Sequence, residues 1–173
     1  MSPEAAITVK PKKLTRESFL KFGDVIEVNE QAENFTINDG FTQRYHDLAK
    51  VDVNKDNGRT LINIFRATPL KKTIVLKSME RHPLSSQAFM PLGDQPYLVV
   101  VAPAGKLNES DVEVFLSSAN QGVNYSAGTW HHYCLALNRI SDFLVIDRGG
   151  QGDNCDELLL SRAIEIDLSE MII

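Results

Sequence analysis

Tyr97-Leu-Val-Val-Val-Ala102 is the longest apolar run in the chain. It has the length of a β-strand and falls far short of the roughly 20 apolar residues that a membrane helix needs. Turn-forming clusters fence it on both sides, Pro91-Leu-Gly-Asp-Gln-Pro96 before it and Ala104-Gly105 after it. Working outward, the same arrangement repeats. Short β-type runs cover Val25–Val28, Phe41–Leu48, Leu61–Arg66, Thr73–His82, Gln87–Met90, Val112–Ser117, Thr129–Leu137, Phe143–Ile146 and Ala163–Asp167. Asp56-Asn57-Gly58 and Gly149-Gly150-Gln-Gly152 supply further turns. Many short strands joined by dense punctuation predict a mainly β protein, an antiparallel sandwich or barrel with hairpin connections.

Two segments read differently. Thr15-Arg-Glu-Ser-Phe-Leu-Lys-Phe-Gly23 predicts a short N-terminal helix, with Thr15 as its cap, Phe19, Leu20 and Phe22 on its apolar side and Gly23 at its end. Val112 to Ala119 fits a helical face after a Ser110 cap as well as a strand; the alternation of Val112, Val114 and Leu116 favours the strand.

The chain of 173 residues, without internal repeat or linker, predicts one domain over residues 1–173. Its 43% hydrophobic and 24% charged residues are ordinary for a folded domain and a poor fit to disorder. Lys and Arg number 18 against 23 Asp and Glu, a net charge of −5. No basic stripe is visible, so nucleic acid is not an expected partner and small molecules are. No apolar run suits a membrane span, and Met1 to Lys13 lacks the apolar stretch of a secretory signal. Cys134 and Cys155 are too few for a disulfide framework, which points to a reducing, cytoplasmic setting.

Chemistry-bearing residues gather in Met79-Glu-Arg-His-Pro-Leu-Ser-Ser-Gln87 and Gly122-Val-Asn-Tyr-Ser-Ala-Gly-Thr-Trp-His-His132. Strand periodicity puts Glu80 and His82 on one face, and puts His131 with Tyr133, Leu135 and Leu137 on an inward one. His132 falls on the opposite face with Trp130, a parity that a bulge would reverse. An inward histidine pair beside a carboxylate suits acid–base work or a divalent metal; the alternative is a pair of hydrogen-bonded core histidines.

The phrases Arg44-Tyr-His-Asp-Leu-Ala49, Glu80-Arg-His-Pro-Leu84 with Gln87-Ala-Phe-Met-Pro91, Gln121-Gly-Val-Asn-Tyr125 with Gly128-Thr-Trp-His-His132, and Asp142-Phe-Leu-Val-Ile-Asp-Arg-Gly-Gly150 followed by Asn154-Cys-Asp156 resemble the ureidoglycolate lyase family, in its order. The resemblance implies a cupin-like β-barrel, a homodimer, and cleavage of (S)-ureidoglycolate to glyoxylate and urea in allantoin catabolism. The metal motifs of cupins are matched only in part. Leu84 stands where a second histidine is usual, Gln87 lies near the acidic position, and Ser126 replaces the usual proline ahead of Gly128 and His131. A weakly bound divalent metal, with His82, Gln87 and His131 as candidate ligands, is the most these motifs support.

Releasing urea from ureidoglycolate requires removal of the hydroxyl proton and delivery of a proton to the departing nitrogen, so positioned acid–base groups suffice. His82 and His131 are the candidate pair, with Glu80 as orienter or alternative base. Arg66 and Arg44 are candidates for the substrate carboxylate, because planar guanidinium donors match two oxygens, with a surface salt bridge as the alternative for each. Gln87, Asn63 and Tyr45 are candidates for the urea end. Asp147 and Arg148 read as a charged pair that holds a loop. Trp130 and Cys134 read as buried packing, and His46 as a strand-face histidine. The competing functions are hydrolysis of the same substrate with release of ammonia, and a non-catalytic module that holds a small carboxylate.

Overall fold

The Tyr97–Ala102 run forms a strand whose two faces are both buried. Tyr97, Val99 and Val101 enter one apolar cluster, with Phe19, Phe22, Phe89, Phe115 and Phe143 among its members. Leu98, Val100 and Ala102 enter another, built around Leu76, Val114, Trp130 and Ile164. Burial on both faces is why this run is continuously apolar rather than alternating. The computed structural model describes residues 6–70 and 73–169. Part of the Met1 to Lys13 reading lies outside them.

The strands, in chain order, are β1 (Ile7–Val9), β2 (Lys12–Lys13), β3 (Gly23–Ile26), β4 (Asn34–Ile37), β5 (Thr42–Tyr45), β6 (Arg59–Ala67), β7 (Ile74–Arg81), β8 (Gln87–Pro91), β9 (Tyr97–Ala102), β10 (Glu113–Leu116), β11 (Gly122–Tyr125), β12 (Trp130–His131), β13 (Leu135–Ala136), β14 (Ser141–Gly149) and β15 (Asp156–Ile166). They build a large sheet in the order β1-β15-β7-β12-β9-β10-β2, with β13 also on β9. A second sheet runs β3-β11-β8-β14-β6, and β4-β5 forms a separate hairpin. The fold is mainly β and cupin-like, a curled half-barrel. Pairing is antiparallel except for the short β1–β15 and β10–β2 contacts.

The helix α1 spans Arg16–Phe19. Thr15 caps it in a capping box: its hydroxyl accepts from the Ser18 N–H while the Ser18 hydroxyl accepts from the Thr15 N–H. Gly23 does not end this helix, as the sequence suggests; it opens β3. Its φ is +147°, and a Cβ there would lie 1.9 Å from the Asn124 carbonyl oxygen, so the β3–β11 contact requires glycine.

Other departures are local. Val112–Ser117 resolves as the strand β10. The expected strand Thr129–Leu137 is broken into β12 and β13, with His132, Tyr133 and Cys134 outside any ladder. The sequence reading also misses β4, whose hairpin with β5 turns through Asn38 and Asp39 at φ 53° and 56°, a left-handed conformation that Asn and Asp tolerate.

Candidate active site

The antiparallel pairing of β12 with β7 sets His131 directly opposite Glu80. His82 follows the end of β7, and its carbonyl accepts a 2.9 Å hydrogen bond from the Gly128 N–H, which ties the turn before β12 to the end of β7. The two segments singled out in the sequence therefore meet. The ligand atoms of Glu80, His82 and His131 lie within 4.8 Å of one another, and the imidazole centroids of His82 and His131 are 5.1 Å apart.

Each imidazole has one nitrogen engaged and one without a partner. His82 Nδ1 is 2.5 Å from the Asn154 carbonyl oxygen, so Nδ1 carries the donated proton and Nε2 presents a lone pair. Asn154 holds the same loop twice more, accepting from the Leu84 N–H at 2.7 Å and donating to Ser85 Oγ at 2.9 Å. His131 Nδ1 lies 3.3 Å from the His132 carbonyl oxygen and 3.6 Å from Glu80 Oε1. His82 Nε2 and His131 Nε2 are both buried without a hydrogen-bond partner, as is Gln87 Oε1.

Electrostatics separates the roles of these groups. Burial, reinforced by neighbouring His82, pushes the His131 imidazole down to about 3, so it is neutral at physiological pH. Tyr125 lies flat against it, centroids 4.4 Å apart and planes 4° apart. Burial raises the Glu80 carboxyl; His82 opposes that shift and Glu157 adds to it. His132 is buried too, and burial lowers its imidazole, so both histidines of the pair are inside; the strand parity that set them on opposite faces ends where β12 breaks.

A second carboxyl joins the site from β14. Asp147 accepts from Asn63 Nδ2 at 3.0 Å. Burial raises its carboxyl, while Gln87, His82 and Asn63 favour its ionised form. Asn63, Gln87 and Asp147 share a face because β6 and β8 flank β14 in register, Asn63 opposite Val145 and Phe89 opposite Val145. The loop role expected of the charged pair belongs to Arg148 alone. That guanidinium, 8% exposed, donates to the carbonyls of Lys55, Asp56 and Gln151.

Of the sequence candidates, the structure brings together Glu80, His82 and His131, while Gln87 and Asn63 lie on the strands flanking β14, on the face that carries Asp147. Arg66 lies three positions from Asn63, on the opposite face of β6, where it makes a bidentate 2.8 Å pair with Asp142. Arg44 and Tyr45 lie on β5, with Arg44 over the Phe35 ring and Tyr45 Oη donating to Glu30 at 2.7 Å. Trp130 is buried, donates to the Gly105 carbonyl and carries Arg81 against its ring. Cys134 packs on the core, burial pushing its thiol up to about 12, and His46 packs on Phe35. Asp147 and Asn154 are the site residues that sequence reasoning passed over. Asp147 carried a detectable signal, since an acidic residue two positions from buried Val145 keeps that strand's inward phase.

Glu80, His82 and His131 form a two-histidine, one-carboxylate donor set, and the two unpartnered Nε2 atoms give it the lone pairs a divalent ion takes. These residues fit such an ion. When bound, it would polarise a substrate oxygen and would occupy the same imidazole lone pairs that otherwise serve as proton acceptors.

The chain matches the family model described as ureidoglycolate lyase over residues 6–167. A ureidoglycolate lyase of Burkholderia mallei (strain NCTC 10229) is 50% identical over 157 residues, covering 91% of this chain and 92% of that one. A ureidoglycolate lyase of Pseudomonas syringae pv. syringae (strain B728a) is 48% identical over 145 residues, covering 83% and 85%. That of Pseudomonas paraeruginosa (strain DSM 24068 / PA7) is 48% identical over 151 residues, covering 87% and 89%.

Proposed function

The chain belongs to the ureidoglycolate lyase family, and from that premise we propose that it cleaves (S)-ureidoglycolate to glyoxylate and urea. The observation that carries the assignment to this site is the pair of buried, unpartnered Nε2 atoms of His82 and His131 beside Glu80. The reaction moves one proton, from the hydroxyl on the central carbon to the ureido nitrogen, as the carbon–nitrogen bond breaks and the carbonyl of glyoxylate forms. No covalent intermediate is needed.

His82 Nε2 takes the hydroxyl proton and returns it to the departing nitrogen. Its Nδ1–H bond to the Asn154 carbonyl fixes the tautomer that presents Nε2, and Glu80 stabilises the transient imidazolium. His131, held neutral, accepts a hydrogen bond and orients the substrate rather than acting as an acid. Gln87 and Asn63 serve the urea end.

The reading extends to a cytoplasmic homodimer. Both cysteines are free, in keeping with a reducing compartment. The edge strand β6 exposes Ile62 and Ile64 side by side, an apolar strip suited to a second copy. No helix among the described residues is long and apolar enough to cross a membrane.

The test is to incubate chelator-treated protein with racemic ureidoglycolate and to quantify glyoxylate, urea and ammonia separately, with and without divalent metals. Glyoxylate and urea in equal amounts, above the spontaneous rate, support the lyase. Ammonia in place of urea would turn the assignment to a hydrolase, and saturable binding without product to a carboxylate-binding module.

A further inference from the structure

We propose that Arg81 is a positioning residue: from the far face of the large sheet its guanidinium clamps the chain segments that carry Glu80, His82 and His131, and so fixes how those side chains stand relative to one another. The proposal rests on the lyase reading of that site and adds to it what sets the site's geometry. Successive side chains of a strand point to opposite faces, so a strand residue of the site has its chain neighbour behind it. Arg81 lies between Glu80 and His82, Trp130 precedes His131, and Asp156 follows Asn154 by two positions. Register brings these neighbours together. Asp156 is opposite Arg81 in the β15–β7 ladder, and His131 is opposite Glu80 in the β12–β7 ladder.

The guanidinium is engaged at two edges and on a face. Arg81 Nε donates to Asp156 Oδ2 at 2.8 Å, Nη1 donates to the Gly105 carbonyl at 2.9 Å, and the flat group lies over the Trp130 ring with Cζ 4.6 Å from its centroid. Trp130 is buried, and its Nε1–H donates to the same Gly105 carbonyl at 3.0 Å, which closes the network. The donors of a guanidinium are fixed in one plane, so sliding or rotation of β7, β12 or the start of β15 breaks at least one contact. The segments joined behind are those that meet in front, where the ligand atoms of Glu80, His82 and His131 lie within 4.8 Å of one another and the Asn154 carbonyl holds His82 Nδ1. A misplacement of about 1 Å can cost about 100-fold in rate, so a clamp on the far face is felt in the chemistry.

Arg81→Met keeps an apolar stem and removes every donor. It strands no buried group: the Asp156 side chain is 43% exposed, and the Gly105 carbonyl retains the Trp130 N–H. The first readout is the imidazole ring-proton signals of the histidine-labelled full chain by NMR, without substrate. The Tyr125 ring lies nearly parallel to the His131 imidazole at 4.4 Å, so its ring current displaces the His131 signals upfield. In folded Arg81→Met those signals should move back toward their ordinary position, a change that loss of stability alone would not give. The second readout is turnover of ureidoglycolate. Arg81→Met should lower kcat by about tenfold with KM within about twofold of wild type, and Arg81→Lys, which keeps the charge but not the planar fork, should fall between the two.

His131 signals that stay in place in folded Arg81→Met would overturn the proposal, and so would a kinetic loss confined to KM. Should Arg81→Met not fold, Asp156→Ala frees the start of β15 alone and must move the His82 ring signals, because that ring is held by the Asn154 carbonyl. The two readings fail separately. A chain that releases no urea from ureidoglycolate, yet shows displaced His131 signals in Arg81→Met, would refute the lyase reading and leave the clamp in place. A chain that turns over ureidoglycolate with unmoved signals and unchanged kcat in Arg81→Met would refute the clamp and leave the lyase reading in place.

Discussion

His131 lies flat beneath the ring of Tyr125, 4.4 Å from centroid to centroid, and is only 1% exposed. That packing removes water from the imidazole and makes its protonated form costly. Two residues of ordinary chemistry thus produce a histidine that stays neutral through the physiological range. The stability of the protein records this.

His131 binds a proton in the unfolded chain near its ordinary value of 6.5 but in the folded chain only near about 3. Between these values the unfolded state holds more protons, so stability is fully present above about 6.5 and is lost as the pH falls toward 3. The limiting slope for one proton is about 1.4 kcal/mol per pH unit. Guanidinium unfolding of wild type and His131→Gln at pH 7, 6 and 5 should show the variant losing less stability over that interval. Identical slopes would mean that His131 is hydrated or paired in solution.

His82 carries the proposed proton transfer, so His82→Asn should lower kcat by about 10²- to 10⁴-fold, the usual contribution of a positioned acid–base group. Asn154 supplies the contrast. It contacts the imidazole only through its main-chain carbonyl, and its side chain braces Leu84 and Ser85. Asn154→Ala should therefore cost less than His82→Asn while lowering activity in the same direction. Steady-state rates on folded variants decide this, and near-wild-type turnover by His82→Asn would remove it from the chemistry.

Much of this site was legible in the sequence because its residues obey strand periodicity. Glu80 and His82 share a phase, Tyr97–Ala102 announces a strand buried on both sides, and turn clusters mark most of the boundaries. What sequence could not convey was register between distant strands. That Asn63 meets Asp147, or that Asn154 reaches back to His82, depends on pairings across 84 and 72 positions of chain. The break after His131 was also hidden, since Trp130 to Leu137 has strand-like composition throughout. Arg66 illustrates the limit of residue chemistry without register. Its chemistry suited a carboxylate, but a spacing of three from Asn63 sets it on the other face of the same strand.

Arg66 should accordingly be dispensable for substrate binding. Its guanidinium is already matched in bidentate fashion by Asp142, and the exposed pair is open to solvent and salt. Arg66→Ala is expected to leave KM within about twofold of wild type, in line with the small worth of surface ion pairs. A large rise in KM with unchanged kcat would instead return Arg66 to the carboxylate contact and require the ion pair with Asp142 to open when substrate arrives.

The edge strand β6 gives the last test. Ile62 and Ile64 are 73% and 57% exposed, adjacent on one face, on a strand with a neighbour on one side only. A monomer gains nothing from displaying two large β-branched side chains there, whereas a second copy could bury both at about 25 cal/mol per Å² of apolar surface. Sedimentation velocity should find the wild type dimeric, as proposed, and Ile62→Lys combined with Ile64→Lys, which places like charges across that contact, monomeric; a monomeric wild type would refute the dimer itself. The core contacts of β6 come from the opposite phase, as when Phe65 packs edge-on against Phe89, so the fold itself should survive. A double variant that remains dimeric would place the subunit contact on another surface.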